Sequence, residues 1–475
     1  MGTLFGALGS AGEALRAFQR AVDVTQNNVT NANSPGYAKQ VPSLDSLPFD
    51  PATGLTGGVQ EHTQDSRNEF AEIAVQQQTS LLGAYQQLQT SLAPLQGVFD
   101  VSANSTIPSA LNQLFQSFSA WSTQPANTNY RNAVLTAAGQ VATAFQQAAG
   151  QLNGIRASTD RNLQSTIDQI NQDASKIRDY NAAVARSGGA PDAGLQAQLH
   201  TTLEDLSSLA DVQAVAGNGN TVTVLLGGQI PLVIGDQQNA LQLSFPSDPN
   251  AANPNAPANA AVLDSTGVDV TAKISSGSLH ALLSVRNNLI PSLAGGPQVN
   301  GDLNTLAKGL ADTVNNVLAQ GSTTAGPPFQ PGSPLFSYDG TSAVGVAASL
   351  QVNPTITASQ LAPVDPGPPV VSNGTALKLA GLDNSSGGQI NGLGFTQFFS
   401  TLVSRVGSAA KDADTGAAAQ AQVVAQAKTL RQQLSGVSLD EEAIRLIELQ
   451  RTYQAASKVV NVVDQLAQSL LSMIP

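Results

Sequence analysis

The sequence predicts a mainly α-helical protein that carries one small inserted β domain. Three observations predict this class: apolar helical patterns through most of the 475 residues, heptad-spaced apolar residues at both ends, and a β-branched stretch near the middle. We expect the N- and C-terminal helices to pair as a coiled-coil arm on a body of long, bundled helices. The expected domains are a terminal coiled-coil assembly domain (1–38 plus 437–475), a long-helix body (39–211 plus 279–436) and an inserted β-rich outer domain (212–278).

The N-terminal helix is predicted from apolar residues that recur at alternating steps of four and three. The principal members of this N-terminal seam are Leu4, Leu8, Leu15, Phe18, Val22 and Val29. The stretch NNVTNANSPGYAKQ then ends the helix, because asparagine tolerates the left-handed conformation of helix ends. Ser34 to Tyr37 fits a type II turn, with Pro35 at its first corner and Gly36 supplying a positive φ at the second.

The C-terminal helix shows a similar seam, with an apolar face that widens towards its end. The seam and its extension comprise Leu446, Leu449, Tyr453, Val460, Val463, Leu466, Leu470 and Ile474. Ser438 and Glu441 form a predicted capping box, and Asp440, Glu441 and Glu442 are interpreted as acids that favour the positive helix end.

The two seams can pair only if the chain folds back so that its ends meet antiparallel. A pair of helices buries one seam, so the wider face near Leu466 would stay exposed on a single subunit. Contiguous exposed apolar surface indicates a partner. The simpler alternative is that each terminal helix packs only on its own domain, which would produce the same periodicity.

The region between the ends is predicted to hold long helices and the β module. Helical patterns cover 67–98, 129–186, 279–293, 303–319 and 395–434. The first of these is expected to break near Pro94 and Gly97. β-branched alternation around turn signals predicts hairpins within 212–278.

Composition argues against several classes of function. The net charge of −12 disfavours a nucleic-acid partner, which requires a basic surface, and no apolar run is long enough for insertion into a membrane. There is no cysteine, the three histidines are scattered, and the common nucleotide and hydrolase motifs are missing. We therefore expect no enzymatic activity, no metal and no cofactor. The charged front of a secretory signal is also missing, so export would need another route.

The N-terminal motif resembles that of bacterial flagellar axial proteins, which comprise rod, hook and hook-associated proteins. The matching residues, which we call the assembly motif, are Asn28, Asn31, Asn33, Pro35, Gly36, Tyr37 and Gln40. Ser34 stands for the family's threonine and Lys39 for its arginine. The C-terminal stretch SGVSLDEEAIRLIELQRTYQAASKVV is similar to the hook-associated branch of the family, the FlgK type.

This resemblance implies a secreted structural protein of the extracellular flagellum, exported unfolded through the flagellar type III apparatus. It implies a subunit of the hook–filament junction that polymerises as a ring on the hook tip and allows the filament to attach. The expected partners are further copies of the chain, the hook protein below, the second junction protein above, and a cytoplasmic export chaperone at the C-terminal helix. The alternatives are a hook or distal-rod protein and, less favoured, an axial protein whose β module carries an enzyme.

Overall fold

The computed structural model describes residues 2–50, 55–99, 106–188, 192–342, 345–383 and 389–472. Helices dominate this part of the chain. They are α1 (Gly2–Asn31), α2 (Glu69–Val98), α3 (Ile107–Thr123), α4 (Thr128–Arg186), α5 (Ala193–Leu209), α6 (Gly277–Ser284), α7 (Ile290–Ala294), α8 (Asp302–Gln320), α9 (Val346–Ser349), α10 (Gly374–Ala380), α11 (Phe395–Ser435) and α12 (Leu439–Ser472). A π-helical turn, Val285–Leu289, joins α6 to α7.

The strands form small antiparallel sheets. They are β1 (Gln40–Asp50), β2 (Leu55–Asp65), β3 (Val212–Ala216), β4 (Val222–Leu226), β5 (Ile230–Ile234), β6 (Gln237–Gln238), β7 (Gln242–Ser244), β8 (Ala261–Leu263), β9 (Phe336–Ser337) and β10 (Gln351–Val352). Strands β3 to β6 form a four-stranded sheet in chain order, and β1–β2, β7–β8 and β9–β10 form two-stranded ribbons. The prediction of a mainly helical protein with small sheets is confirmed.

The two terminal helices pack along each other, as predicted. Asn28, near the end of α1, hydrogen-bonds Glu442, near the start of α12. Because α1 runs towards this contact and α12 runs away from it, the two helices are antiparallel.

A β-hairpin follows α1, where the predicted helical body was expected to begin at residue 39. Strands β1 and β2 pair from Gln40↔Asp65 to Asp50↔Leu55 and pack on α1, with Arg20 of the helix 3.9 Å from Glu61. Assigning this segment to the helical body was therefore wrong. Its strand signal is weak because Pro42 and Pro48 lie within β1, and proline is tolerated only where a strand needs no inward ladder hydrogen bond. Both strands of a two-stranded ribbon are edges, so every second N–H of β1 faces away from its partner, and a proline at such a position breaks no ladder bond.

The body is built around two long helices that run antiparallel, α2 and α11. Asn68 N donates to Ser435 Oγ at one end of the pair, and the rings of Phe99 and Phe399 lie 6.0 Å apart at the other. The predicted break of α2 near Pro94 is wrong, because the helix continues to Val98. Leu92 and Leu95 on either side of the proline are buried in the core, so tertiary packing outweighs the cost of the proline.

The buried apolar side chains form two clusters along α4. The first joins the first half of α4, up to Leu152, with α3, α8, α10 and the first half of α11. The second joins α4 from Leu163 onwards with α5, α6 and the strands of 212–263. Asn181 and Asn171 of α4 reinforce this second contact, because both side chains hydrogen-bond backbone groups of the β region. The β region therefore shares its core with α4 and α5.

Candidate functional site

The end of α1 meets the start of α12 at a polar corner whose centre is the Asn28 side chain. Asn28 is completely buried. Its Nδ2 donates to Gln40 O at 2.8 Å and to Glu442 Oε2 at 2.9 Å, and its Oδ1 accepts from Tyr37 Oη and Gln40 N, both at 2.9 Å. An amide has two donor hydrogens and two acceptor lone pairs, so every hydrogen-bonding position of Asn28 is used. One side chain thereby joins α1, the following turn, the hairpin and α12.

The turn at Ser34 to Tyr37 has the geometry that its sequence predicts. Tyr37 N donates to Ser34 O at 3.2 Å, and Gly36 has a φ of +71°. A Cβ at Gly36 would lie 2.2 Å from the carbonyl oxygen of Ala197, so only glycine lets the turn lie this close to α5. The turn is therefore seated on the body rather than projecting from it.

Tyr37 acts at this corner as a neutral hydrogen-bond donor. Burial, together with the negative charges of Glu442 and Asp65, raises the pKa of Tyr37 to about 12. The hydroxyl therefore keeps its proton and donates it to Asn28. The other motif residues lie on the rim: Asn31 donates to Asn27 O and accepts from Ser34 Oγ, while Asn33 and Pro35 are exposed.

Lys39 links the same turn to two acids of α12. Its Nζ donates to Glu441 Oε2 at 2.8 Å and lies 3.2 Å from Glu442 Oε1. Burial lowers the pKa of Lys39, but its hydrogen bonds with Glu441 and Glu442 outweigh burial and leave that pKa raised. The ammonium group therefore stays charged beside the fully buried Glu442 carboxylate.

Ser435, the last residue of α11, ties the corner to the body. Its carbonyl oxygen accepts from Lys39 N at 2.9 Å, and its Oγ accepts from Asn68 N at 2.9 Å. Ser66 N donates in turn to Lys39 O at 2.9 Å. The chain thus passes from hairpin to α2 and from α11 to α12 at one point.

A partly buried network of charges lies directly beneath the turn. Arg67 donates to Gly36 O and to Glu72 Oε1, each at 2.7 Å. Arg431 of α11 bridges Glu72 of α2 at 3.2 Å and Glu204 of α5 at 2.9 Å. These pairs hold α2, α5, α11 and the turn together.

His200 of α5 packs against this network as a neutral ring. Burial, followed by the positive charges of Arg67 and Arg431, lowers the pKa of His200 to about 3. Its Nδ1 lies 3.9 Å from Glu72 Oε2. The site therefore excludes a charge on His200 at neutral pH.

The structure places the N-terminal seam residues at the border of the buried face of α1. The residues at the deepest positions are Ala17, Ala21, Thr25 and Asn28. Leu8, Leu15, Phe18 and Val22 are half-buried, and the side chain of Leu4 lies outside the described residues. Val29 is 39% exposed on one subunit. The difference arises because α1 packs between α12 and the hairpin. The most buried residues of α1 lie on the side that faces both of them.

The C-terminal seam residues Leu446, Leu449, Val460 and Val463 are half-buried, which fits the packing of α12 on α1. Tyr453 and Leu466 are exposed. The side chains of Leu470 and Ile474 lie outside the described residues.

A second apolar face of α12, which we call the free face, points away from α1. Its residues are 52% to 61% exposed. They are Ile444, Ile447, Val459, Val462 and Leu466. With 3.6 residues per turn, this face lies roughly 130° around the helix from the seam.

Two features of the site were not predicted from the sequence. Glu442 was interpreted as a helix-end acid, yet it is a buried partner of Asn28 and Lys39. Glu441 was expected to cap α12, but its carboxylate accepts from Lys39. A fully buried acid could have been suspected from the apolar spacing on both sides of it, but its partners lie more than 400 residues away.

Two properties of the described residues bear on other functions. None of the described helices is long and apolar enough to cross a membrane. The described side chains also contain no group of three or more histidine and acidic residues that could hold a metal ion.

Family models match three stretches of the chain. Residues 92–336, more than half of the chain, match the flagellar hook-associated protein FlgK helical domain. Residues 8–37 match the flagella basal body rod protein family, and residues 430–473 match the flagellar basal body rod FlgEFG protein C-terminal family. The helical body and both terminal segments thus carry flagellar signatures.

Similar proteins align over nearly the whole chain. Flagellar hook-associated protein 1 of Bacillus subtilis (strain 168) is 26% identical, and the alignment covers 99% of each chain. The proteins of the same name from Escherichia coli (strain K12) and Salmonella typhimurium (strain LT2) are 22% and 24% identical. Their alignments cover 98% and 97% of this chain and 99% and 98% of the relatives.

The fold is also similar to a solved structure, that of the flagellar hook junction protein FlgK from Burkholderia pseudomallei. The TM-score is 0.63 at 16% sequence identity, over 75% of this chain and 99% of that chain. At this identity the likeness concerns the fold alone. On the match of the helical-domain model to more than half of its residues, the chain belongs to the FlgK family of flagellar hook-associated proteins.

Proposed function

We propose that the chain is a structural subunit of the hook–filament junction, and that it polymerises as a ring on the hook tip and allows the filament to attach. The family assignment and the names of the similar proteins support this role. The single observation that carries the assembly part is the free face of α12, because five large apolar side chains stay more than half exposed on one subunit.

The corner and the arm have different parts in this role. The assembly motif and its partners Glu442 and Lys39 set the angle between the arm and the body within one subunit. The paired α1 and α12 then present the free face to the next copy in the ring. In this arrangement 1–38 plus 437–475 form the assembly domain, with the hairpin of 40–65 packed on α1, while 66–211 plus 279–436 form the body and 212–278 an outer region.

The proposed partners follow from the position of a junction ring. The hook protein contacts the ring from below, the second junction protein contacts it from above, and the ring lies outside the cell after export through the type III apparatus. Before export, a cytoplasmic chaperone covers the apolar end of the C-terminal helix, from Leu466 to Ile474, in a groove. A pull-down with Leu466→Asp tests the chaperone, since undiminished binding would contradict it.

A hook or distal-rod role is the second candidate. It is favoured by one observation, that both terminal segments match family models named for basal-body rod proteins. The helical-domain match over 92–336 favours the junction instead. An enzyme in the β region is the least favoured reading, because the described part of the chain contains no cluster of acids or histidines suited to a metal centre.

Electron microscopy of a strain that lacks the chain tests the proposed function. We expect complete hooks without filaments, together with unassembled filament protein in the medium. Re-expression of the full chain should restore the filaments. Rods without hooks would support the rod or hook role, and normal filaments would exclude the junction role.

A further inference from the structure

The two hydrophobic clusters of the body meet at a polar joint. On α4 the first cluster ends at Leu152 and the second begins at Leu163. Arg156 and Asp160 lie on the helix between them. On the opposite side, Arg286 lies in the π-helical turn after α6, where the chain leaves the second cluster and enters the first. Irregular turns of this kind are frequent at functional sites.

Arg286 is almost completely buried at this joint, with 2% of its surface exposed. Its Nε donates to Asp160 Oδ1 at 2.5 Å and its Nη2 donates to Ala258 O at 2.9 Å. The guanidinium carbon lies 5.5 Å from the centre of the Phe245 ring, which covers one face of the group. The buried Nη1 has no acceptor among the residues that the structure describes.

Arg156 shows the same pattern from the side of α4, with 6% of its surface exposed. Its Nη1 donates to Asn153 Oδ1 and its Nη2 donates to Gly295 O, each at 2.9 Å. The buried Nε has no acceptor within the described ranges. Among the described residues, each arginine therefore keeps one buried nitrogen, Arg156 Nε or Arg286 Nη1, without a hydrogen-bond acceptor.

The charges at the joint do not balance. Two guanidinium groups face a single carboxylate, that of Asp160, which is paired with Arg286. Burial and the nearby positive charge of Arg286 lower the pKa of Arg156 to about 10, and the opposing influence of Asp160 is smaller. A buried cation without a counter-charge is strongly unfavourable.

We propose that a small monovalent inorganic anion, of which chloride is the common example, binds between Arg156 and Arg286. It accepts hydrogen bonds from Arg156 Nε and Arg286 Nη1 and neutralises the excess positive charge. A water molecule could satisfy the N–H groups but not the charge. The anion therefore holds the two clusters together at their joint.

The test is thermal unfolding of the full chain in sodium chloride and in sodium gluconate at equal ionic strength. Gluconate, a large and strongly hydrated anion, is the reference anion, so we expect the melting temperature to be about 2 °C higher in chloride. Arg156→Gln removes the excess charge and should abolish the difference. The matched control is Arg161→Gln, an exposed arginine on the same helix, which should keep it.

A second measurement does not depend on any variant. Crystals of the full chain grown in sodium bromide should show an anomalous difference peak within hydrogen-bonding distance of both orphan N–H groups. Equal melting temperatures in the two salts, a chloride effect that survives Arg156→Gln, or electron density for water alone at the joint would each overturn the proposal.

Discussion

Two neighbouring parts of α12 differ in whether their side chains are buried within one subunit. Glu442, in the first turn, is completely buried and bonded to Asn28, whereas Ile444, two residues later, is 61% exposed. The polar corner is complete within one subunit, and the apolar free face is not. Hydrogen bonds are directional and so fix the angle of the arm, while apolar surface is non-directional and supplies energy for association. In the proposed junction role, the corner sets the geometry of the arm before assembly and the free face supplies the affinity.

Breaking the free face should have the largest effect. Val459→Asp with Val462→Asp removes two large apolar contacts outside the proposed chaperone face, each contributing about 2 kcal/mol when buried, so association should weaken roughly 1000-fold. The deletion strain re-expressing this variant should carry hooks without filaments by electron microscopy, while the unfolding free energy of the monomer should change by less than about 0.5 kcal/mol.

The matched control for the free face is Gln450→Asp, an exposed position of α12 on neither apolar face. It introduces one of the two negative charges of the free-face variant without removing an apolar side chain, and should leave filament attachment intact. If both variants attach filaments equally well, the free face has no part in assembly.

Breaking the corner should affect one subunit rather than the assembly surface. Asn28→Leu leaves Tyr37 Oη, both backbone groups of Gln40 and the Glu442 carboxylate without their partner, so we expect a loss of about 3 kcal/mol or more. Hydrogen exchange of the amides at 28–40 should accelerate accordingly. Asn27→Leu, at an exposed neighbouring position, should change it little, and equal effects of the two variants would show that the corner is not held by this side chain.

The corner and the free face also differ in how far the sequence could predict them. The turn at Ser34–Tyr37 depends on local chemistry, proline followed by glycine, and the structure has the predicted geometry. The pairing of the terminal helices follows from heptad spacing. The burial of Asn28 in place of Val29 could not be predicted, because it depends on the hairpin that packs on the other side of α1.

The hairpin and the buried acid Glu442 are two further features that could not be predicted from the sequence, each for a physical reason. Prolines within β1 weaken its strand signal, although an edge strand tolerates proline wherever the N–H faces away from its partner strand. An acid at the start of a helix has an ordinary explanation in the helix dipole, so nothing local distinguishes a buried one. Its partner Asn28 lies 414 residues earlier in the chain.

A change of pH sharpens the comparison, because His200 lies in the network beneath the corner and no histidine lies on the free face. Folded His200 binds a proton only near pH 3, whereas the unfolded residue binds one near pH 6.5. Between these values the unfolded chain holds more protons, so stability is complete above pH 6.5 and falls as the pH decreases, by up to about 1.4 kcal/mol per pH unit.

Urea unfolding between pH 6.5 and 4.5 measures this effect, since the carboxylates titrate largely below that range. In His200→Gln the decrease in unfolding free energy between pH 6.5 and 4.5 should be smaller by about 2 kcal/mol. His62→Gln, in the hairpin and half exposed, is the control for replacing a histidine outside the network. If the unfolding free energy of His200→Gln falls with pH as steeply as that of the unmodified chain, another group is responsible for the effect.

The smallest effect is expected at Lys39, where the family pattern has arginine. The guanidinium fork can reach both Glu441 and Glu442, so Lys39→Arg should change the unfolding free energy by less than about 0.5 kcal/mol. Lys39→Met leaves the buried Glu442 without its cation and should cost clearly more. Equal stability of the methionine and arginine variants in urea unfolding would show that Lys39 does not stabilise the corner.

The central claim is that the free face is open on one subunit and covered by neighbouring copies. The chain has no cysteine, so Val462→Cys and Leu466→Cys each introduce a single thiol on that face. The rate of maleimide labelling should be high in the isolated monomer and at least ten-fold lower in purified flagella, whereas Gln450→Cys should label at similar rates in both. Slow labelling of the free face in the monomer, or equal rates in monomer and flagella, would contradict the account.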